Sequence, residues 1–235
     1  MATPRFVLLH SPLLGPMAWR QVAGELARRG AAAEAPAWPR LSTIAEGFYA
    51  TLADGVAAQL AGRDDPPILV AHSGAGALVP ALAARLKTPV AGAIFADAIL
   101  PHPGRSWFDT APEEMRQRLR AGAQMGELPA WDEWWPPGAL ERLVPDAPVR
   151  EALAAELEPL PLAYFEEAAP PDAFAGPSAY LQLSGAYDDE GVAAGRHGWP
   201  VVRLPLHHLA MLTHPEAVAA ALDSLAARLT EPVHG

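Results

Sequence analysis

The chain has 235 residues, 51% of them apolar, no cysteine and a formal charge of −10. That is enough apolar sequence for one domain with a sizeable core, and the missing thiols exclude disulfides, cysteine nucleophiles and thiolate metal sites. The acidic balance speaks against nucleic acid as a partner, because phosphate recognition needs a basic footprint.

The first residues lack the charged segment and long apolar run of a signal peptide, and no apolar run reaches the roughly 18 residues of a membrane span. A cytoplasmic protein that does not meet the membrane is therefore expected. Phe6-Val7-Leu8-Leu9 reads as a short buried strand. Trp19, Val22 and Leu26 fall at helical spacing, with Gly30 as a C-terminal stop. Ala53 to Leu60 predicts a second helix, and Pro66-Pro67 leads into the apolar strand Ile68-Leu69-Val70-Ala71. Leu78, Leu82 and Leu86 form one face of the next helix, and Val90 to Ala96 is a further strand.

Residues 101–177 change character. Trp107, Trp131, Trp134 and Trp135 fall here among many prolines, with helical patches at Met115 to Leu119 and Val149 to Leu157. This segment is expected to be an inserted helical cap on a core made of residues 1–100 and 178–235. The strands resume at Ala179 to Leu183 and Val201 to Leu204. A final helix opens at Pro215-Glu216 and carries the stripe Val218, Leu222, Leu225 and Leu229. Strands alternating with helices imply a mostly parallel sheet covered on both faces.

Three segments carry chemistry. In Ala71-His72-Ser73-Gly74-Ala75-Gly76 a buried strand runs into a serine, and small residues lead straight into a helix. A nucleophile elbow needs this layout, because strand and helix pass close together at the serine. The N–H of Gly74 then points at a developing oxyanion. Leu206-His207-His208-Leu209 follows a late strand, where a general base reaches the top of the sheet. Adjacent histidines point in different directions, so one of the two is the base, and no acidic or histidine cluster supports a metal site. In Gly185-Ala186-Tyr187-Asp188-Asp189 an acid follows a strand and a glycine turn, in position to orient a histidine. Asp97, at the end of the strand through Ala96, is the rival acid, and Asp189 is a third choice that reads better as a helix-start charge. No dinucleotide fingerprint is present, so no cofactor is expected.

The order Ser73, acid, His208 resembles that of the α/β-hydrolase superfamily, and the likeness covers essentially the whole chain. The family motif is Gly-x-Ser-x-Gly. Here Ala71 and Ala75 take the glycine positions. Gly-His before an apolar residue is the family pattern, which selects His208, with His207 on the glycine. Asp188, three residues past Gly185, has the usual offset of the acid. Phe6 to Pro12, with Gly15 and Trp19, resembles the family's His-Gly segment, where His10 is a pocket-side candidate. The segment Phe95 to Ala98 resembles the family's next strand end, and Ser11-Pro12 with Pro101 to Arg105 is similar to stretches of a group of small bacterial hydrolases.

One departure affects the oxyanion hole. The residue after His10-Ser11 is Pro12, which has no N–H to donate. The second donor is then Leu13 N–H or the Ser11 hydroxyl. The resemblance implies a serine hydrolase that cleaves an ester, thioester or lactone of an apolar small molecule through an acyl-enzyme on Ser73. His10, Pro12, Trp107, Trp131, Trp134 and Trp135 are the expected pocket residues. The alternatives are a cofactor-independent lyase or cyclisation enzyme on the same residues, or a ligand-binding protein with a slow triad. A monomer and a homodimer both fit.

Overall fold

The computed structural model describes residues 4–230. Its centre is a six-stranded sheet: β1 (Arg5–Leu9), β2 (Ala32–Glu34), β3 (Pro67–Ser73), β4 (Gly92–Ala98), and, after the inserted segment, strands at Ser178–Gln182 and Val201–Arg203. The spatial order is β2, β1, β3, β4, Ser178–Gln182, Val201–Arg203, and every neighbouring pair is parallel. Along β1 the side chains alternate. Phe6 and Leu8 enter one core cluster, with Ile68, Val70, Ile94, Val22 and Leu222, while Val7 and Leu9 enter the other, with Phe95, Phe48, Leu52 and Val56. This two-sided burial is the expected consequence of continuous apolar strands in a parallel sheet.

Helices α1 (Arg20–Arg28), α2 (Phe48–Gln59) and α3 (Val79–Ala83) connect the first four strands. Two features escape the apolar pattern. Strand β2, Ala-Ala-Glu at the sheet edge, is too short and too polar to stand out. Helix α2 starts at Phe48, five residues ahead of the expected Ala53. Its N-cap is Gly47 at φ +69°, with no capping side chain of its own. The cap comes instead from Glu167, whose carboxylate accepts from Phe48 N at 2.9 Å and Tyr49 N at 3.0 Å.

Residues 101–177 leave the sheet between β4 and the strand that pairs with it. They hold α4 (Trp107–Thr110), α5 (Glu113–Gly122), α6 (Ala139–Leu143), α7 (Ala147–Ala154) and α8 (Leu162–Glu166). They also contain a small antiparallel ribbon, β5 (Glu127–Leu128) with β6 (Leu160–Pro161), which the helical pattern did not announce. Three glutamates fasten the segment to the core. Besides Glu167, Glu156 accepts from Met17 N at 2.9 Å, and the buried Glu158 accepts from Leu41 N at 2.8 Å and Arg40 Nε at 2.9 Å. The chain then returns through β7 (Ser178–Gln182), α9 (Asp188–Arg196), β8 (Val201–Arg203), α10 (Ala210–Thr213) and α11 (Pro215–Thr230). Among the described residues no helix is long and apolar enough to cross a membrane.

Candidate active site

The sheet order reverses at β1 and β3, since β2 lies on one side of β1 and β3 on the other. Loops leaving the carboxyl ends of strands diverge at such a point and open a crevice. Ser73 ends β3 there with φ +56° and ψ −126°, a conformation rare for a residue with a side chain. The chain turns at once into a 3-10 helix, Gly74–Leu78. Gly76 makes this close passage possible: a Cβ there would lie 1.9 Å from the Ile99 carbonyl oxygen. Ala71 and Ala75 are both fully buried, so the family's two motif glycines are replaced without loss of packing.

The histidine and its carboxylate come from two other strand ends. His208 follows β8, and its Nδ1 lies 2.9 Å from Asp97 Oδ2. Asp97 is fully buried. Its other contacts come from the turn after β7: Oδ1 accepts from Leu183 N at 2.8 Å and Ser184 N at 3.0 Å, and Oδ2 accepts from Ser184 Oγ at 2.6 Å. Burial works to raise this carboxyl, but the hydrogen bonds from His208 and Ser184 outweigh it and hold Asp97 below the ordinary carboxylate value.

This corrects the expectation for Asp188. Asp188 is the first residue of α9, and its carboxylate accepts from Gln182 Nε2, not from His208. A negative charge is favoured at that helix start, which accounts for an acid there. The reason Asp97 prevails lies in the β3–β4 register. His72 pairs with Ala96, but Ser73 pairs with Ala98. Asp97 is the extra residue of a bulge, at φ +44°, and a bulge re-aims the side chain it carries. Asp189, the third choice, lines the cavity instead.

Two aromatic rings pack against His208. The His72 ring lies 4.5 Å from it, and the Tyr187 ring stacks on it at 5.0 Å and 8°. His72 Nε2 donates to the His208 carbonyl at 3.0 Å, and burial keeps the His72 ring neutral, well below the usual histidine value. Ser73 Oγ lies 3.3 Å from the Tyr187 hydroxyl. Ser73 and His208 open into the same cavity.

On the other side of Ser73, Ser11 Oγ accepts from Leu13 N at 3.3 Å. The Leu13 N–H is therefore occupied, and the Ser11 hydroxyl keeps its own proton to donate. A methyl group built on Gly74 would stand 3.7 Å from Ser11 Oγ and 3.9 Å from the Tyr164 hydroxyl. Two hydroxyls thus converge on the start of the turn after Ser73. His10 is not part of this group. Its Nδ1 donates to the Ser11 carbonyl at 2.8 Å and its Nε2 accepts from Trp38 N at 3.4 Å, so it fixes the loop after β1. Burial lowers His10 to about 4. Neither His10 nor Pro12 lines the cavity, although Pro12 Cδ packs beside Gly74.

The cavity holds about 660 Å³. Ser11, Leu13, Ser73, Gly74 and His208 form its floor, and Trp107, Trp131, Trp134 and Trp135 line it from the inserted segment. Among the described residues no lysine or arginine lines it, whereas Asp189 and Glu190 do. Burial raises the Glu190 carboxyl. Sequence reasoning missed Tyr187, Tyr164, His72 and Glu190. Tyr187 stood one residue before the favoured acid, and that proximity was the one signal available.

A model described as the alpha/beta hydrolase family matches residues 6–221. No curated protein matches the chain. Solved structures do. An extracellular alpha/beta-hydrolase from a Paenibacillus species, described as sharing structural and functional homology with tobacco salicylic acid binding protein 2, has a TM-score of 0.74 at 19% identity, over 94% of this chain and 98% of that one. A pyrethroid hydrolase from Sphingobium faniae JZ-2 has a TM-score of 0.70 at 23% identity, over 96% and 98%. Tomato methylketone synthase I, as an H243A variant complexed with beta-ketoheptanoate, has a TM-score of 0.72 at 14% identity, over 98% and 100%. At these identities the likeness is one of fold.

Proposed function

The chain belongs to the alpha/beta hydrolase family, and from that premise we propose that it is a serine hydrolase of neutral, apolar carboxylic esters. Ser73 is the nucleophile, His208 the general base and Asp97 the acid that orients it. His208 takes the Ser73 proton as Oγ attacks the ester carbonyl, and Asp97 stabilises the imidazolium that forms. Gly74 N–H and the Ser11 hydroxyl receive the oxyanion. His208 returns the proton to the leaving alcohol, and water then releases the acid. Residues 101–177 act as the cap that closes the pocket.

What carries this reading is the Asp97–His208 pair, held from two strand ends beside a serine on a left-handed turn, at the floor of an apolar cavity. The substrate class follows from the walls. Tryptophans suit an apolar acyl or alcohol group, and Asp189 and Glu190, with no lysine or arginine among the described lining residues, disfavour an anionic one.

The test is a panel of 4-nitrophenyl and aryl-alcohol esters, neutral and carboxylate-bearing, offered to the protein and to Ser73→Ala. The proposal expects turnover of the neutral apolar members, poor turnover of the anionic ones, and none with Ser73→Ala. Full activity in Ser73→Ala sinks it. A second reading has its own observation. Among the described residues Ser73 Oγ bonds Tyr187, and no Ser73–His208 hydrogen bond is present. His208 is then free to take a proton directly from a substrate, as a lyase would use it. Failure to trap any acyl group on Ser73 during turnover favours that reading.

A further inference from the structure

Tyr187 belongs to neither the Ser-His-Asp set nor the oxyanion hole, yet its hydroxyl lies 3.3 Å from the reacting oxygen of Ser73. Its position is fixed twice. The ring lies flat on His208, and the 3-10 turn Gly185–Tyr187 follows Ser184, which binds Asp97 through both its N–H and its hydroxyl. Burial raises the Tyr187 hydroxyl well above the usual tyrosine value, against the opposing effect of its bond to Ser73, so it stays protonated at any working pH.

We propose that Tyr187 is a further catalytic residue, whose hydroxyl donates a hydrogen bond to Ser73 Oγ as that oxygen leaves the acyl group. The inference rests on Ser73 being the acylated nucleophile. Chemistry fixes the direction of the bond. Once acylated, Ser73 Oγ carries no proton and can only accept. In deacylation, water adds to the acyl carbon and gives a proton to His208. The C–Oγ bond then breaks, the carboxylic acid departs, and the proton passes from His208 to Oγ. Negative charge grows on Oγ while that bond breaks, so a donor there is stronger in the transition state than in the resting ester. Such an interaction raises kcat rather than affinity. Acylation starts instead from a Ser73 hydroxyl that Tyr187 already bonds, so the donor gains less between ground state and transition state there than it does from the weakly accepting ester oxygen of the acyl-enzyme. Tyr187 therefore divides the two half-reactions.

Tyr187→Phe keeps the ring that stacks on His208 and removes only the hydroxyl. The protein and the variant are mixed with 4-nitrophenyl butyrate and quenched at intervals. Release of 4-nitrophenolate reports acylation, and the intact mass of the butyryl adduct on Ser73 reports deacylation. The expected result is an adduct that decays about tenfold more slowly in Tyr187→Phe, the scale of one lost hydrogen bond to a developing charge, with acylation changed by much less. Unchanged rates for both steps make Tyr187 a packing residue. Equal slowing of both steps makes it a support for His208. Either outcome overturns the proposal. Absence of both turnover and adduct in the unaltered protein overturns the Ser73 reading itself, and this one with it.

Discussion

Asp97 Oδ2 and His208 Nδ1 meet at 2.9 Å because a one-residue bulge in β4 turns Asp97 toward the turn after β7. The carboxylate that meets His208 therefore comes from the strand beside β3, not from the turn that carries Asp188. Asp97→Asn places an amide N–H against His208 Nδ1 and drives the imidazole to the wrong tautomer. Loss of about 10⁴-fold in kcat is expected, the scale seen when the same change is made in a catalytic triad. Asp188→Asn touches only Gln182 and the start of α9, and is expected to leave kcat near that of the unaltered protein. Ester turnover by the two variants checks this, and the reverse ranking returns the role to Asp188.

Ser11 is expected to serve as the second oxyanion donor in place of the N–H that Pro12 lacks. Its hydroxyl accepts from Leu13 N and keeps its proton for the substrate. Ser11→Ala should lower kcat about 100-fold with little change in KM, as for loss of one oxyanion donor. Unchanged kcat assigns the donor to Leu13 N–H, which that substitution sets free.

Acid should weaken the fold through its buried histidines. His10 takes a proton near 6.5 when unfolded and only near 4 when folded, because burial disfavours its charged form. The unfolded state therefore gains the proton first as pH falls. The stability His10 contributes is complete above about pH 6.5, shrinks as pH drops, and is gone near pH 4, a loss of about 3 kcal/mol. His72, held well below the usual value chiefly by burial, acts in the same direction. Thermal melting between pH 7 and pH 4 should show a steeper fall for the unaltered protein than for His10→Asn, which keeps an acceptor but does not titrate. Parallel slopes contradict the assignment.

The fold was legible because every strand of its sheet except β2 contains an apolar run that stands out from the helices and turns around it. Ser73 and His208 were legible as candidates for a related reason: each stands within a few residues of the end of such a run. Asp97 was not separable from Asp188 on the same grounds. Both follow strands, and the difference is a register shift between β3 and β4, which depends on pairing across the sheet. Tyr187 and Tyr164 carried no signal of their own, since a tyrosine hydroxyl acquires a role only from the oxygen it faces. The early start of α2 escaped for the same cause, its cap being Glu167, more than 100 residues away in the chain.

The most direct test of the central claim is covalent labelling. The protein is incubated with a fluorophosphonate and weighed intact, beside Ser73→Ala, His208→Ala and Asp97→Asn. The account predicts one adduct per chain, mapped to Ser73, absent in Ser73→Ala and much slower to form in the other two variants. Full-rate labelling in His208→Ala and Asp97→Asn, or an adduct that persists in Ser73→Ala, would contradict it.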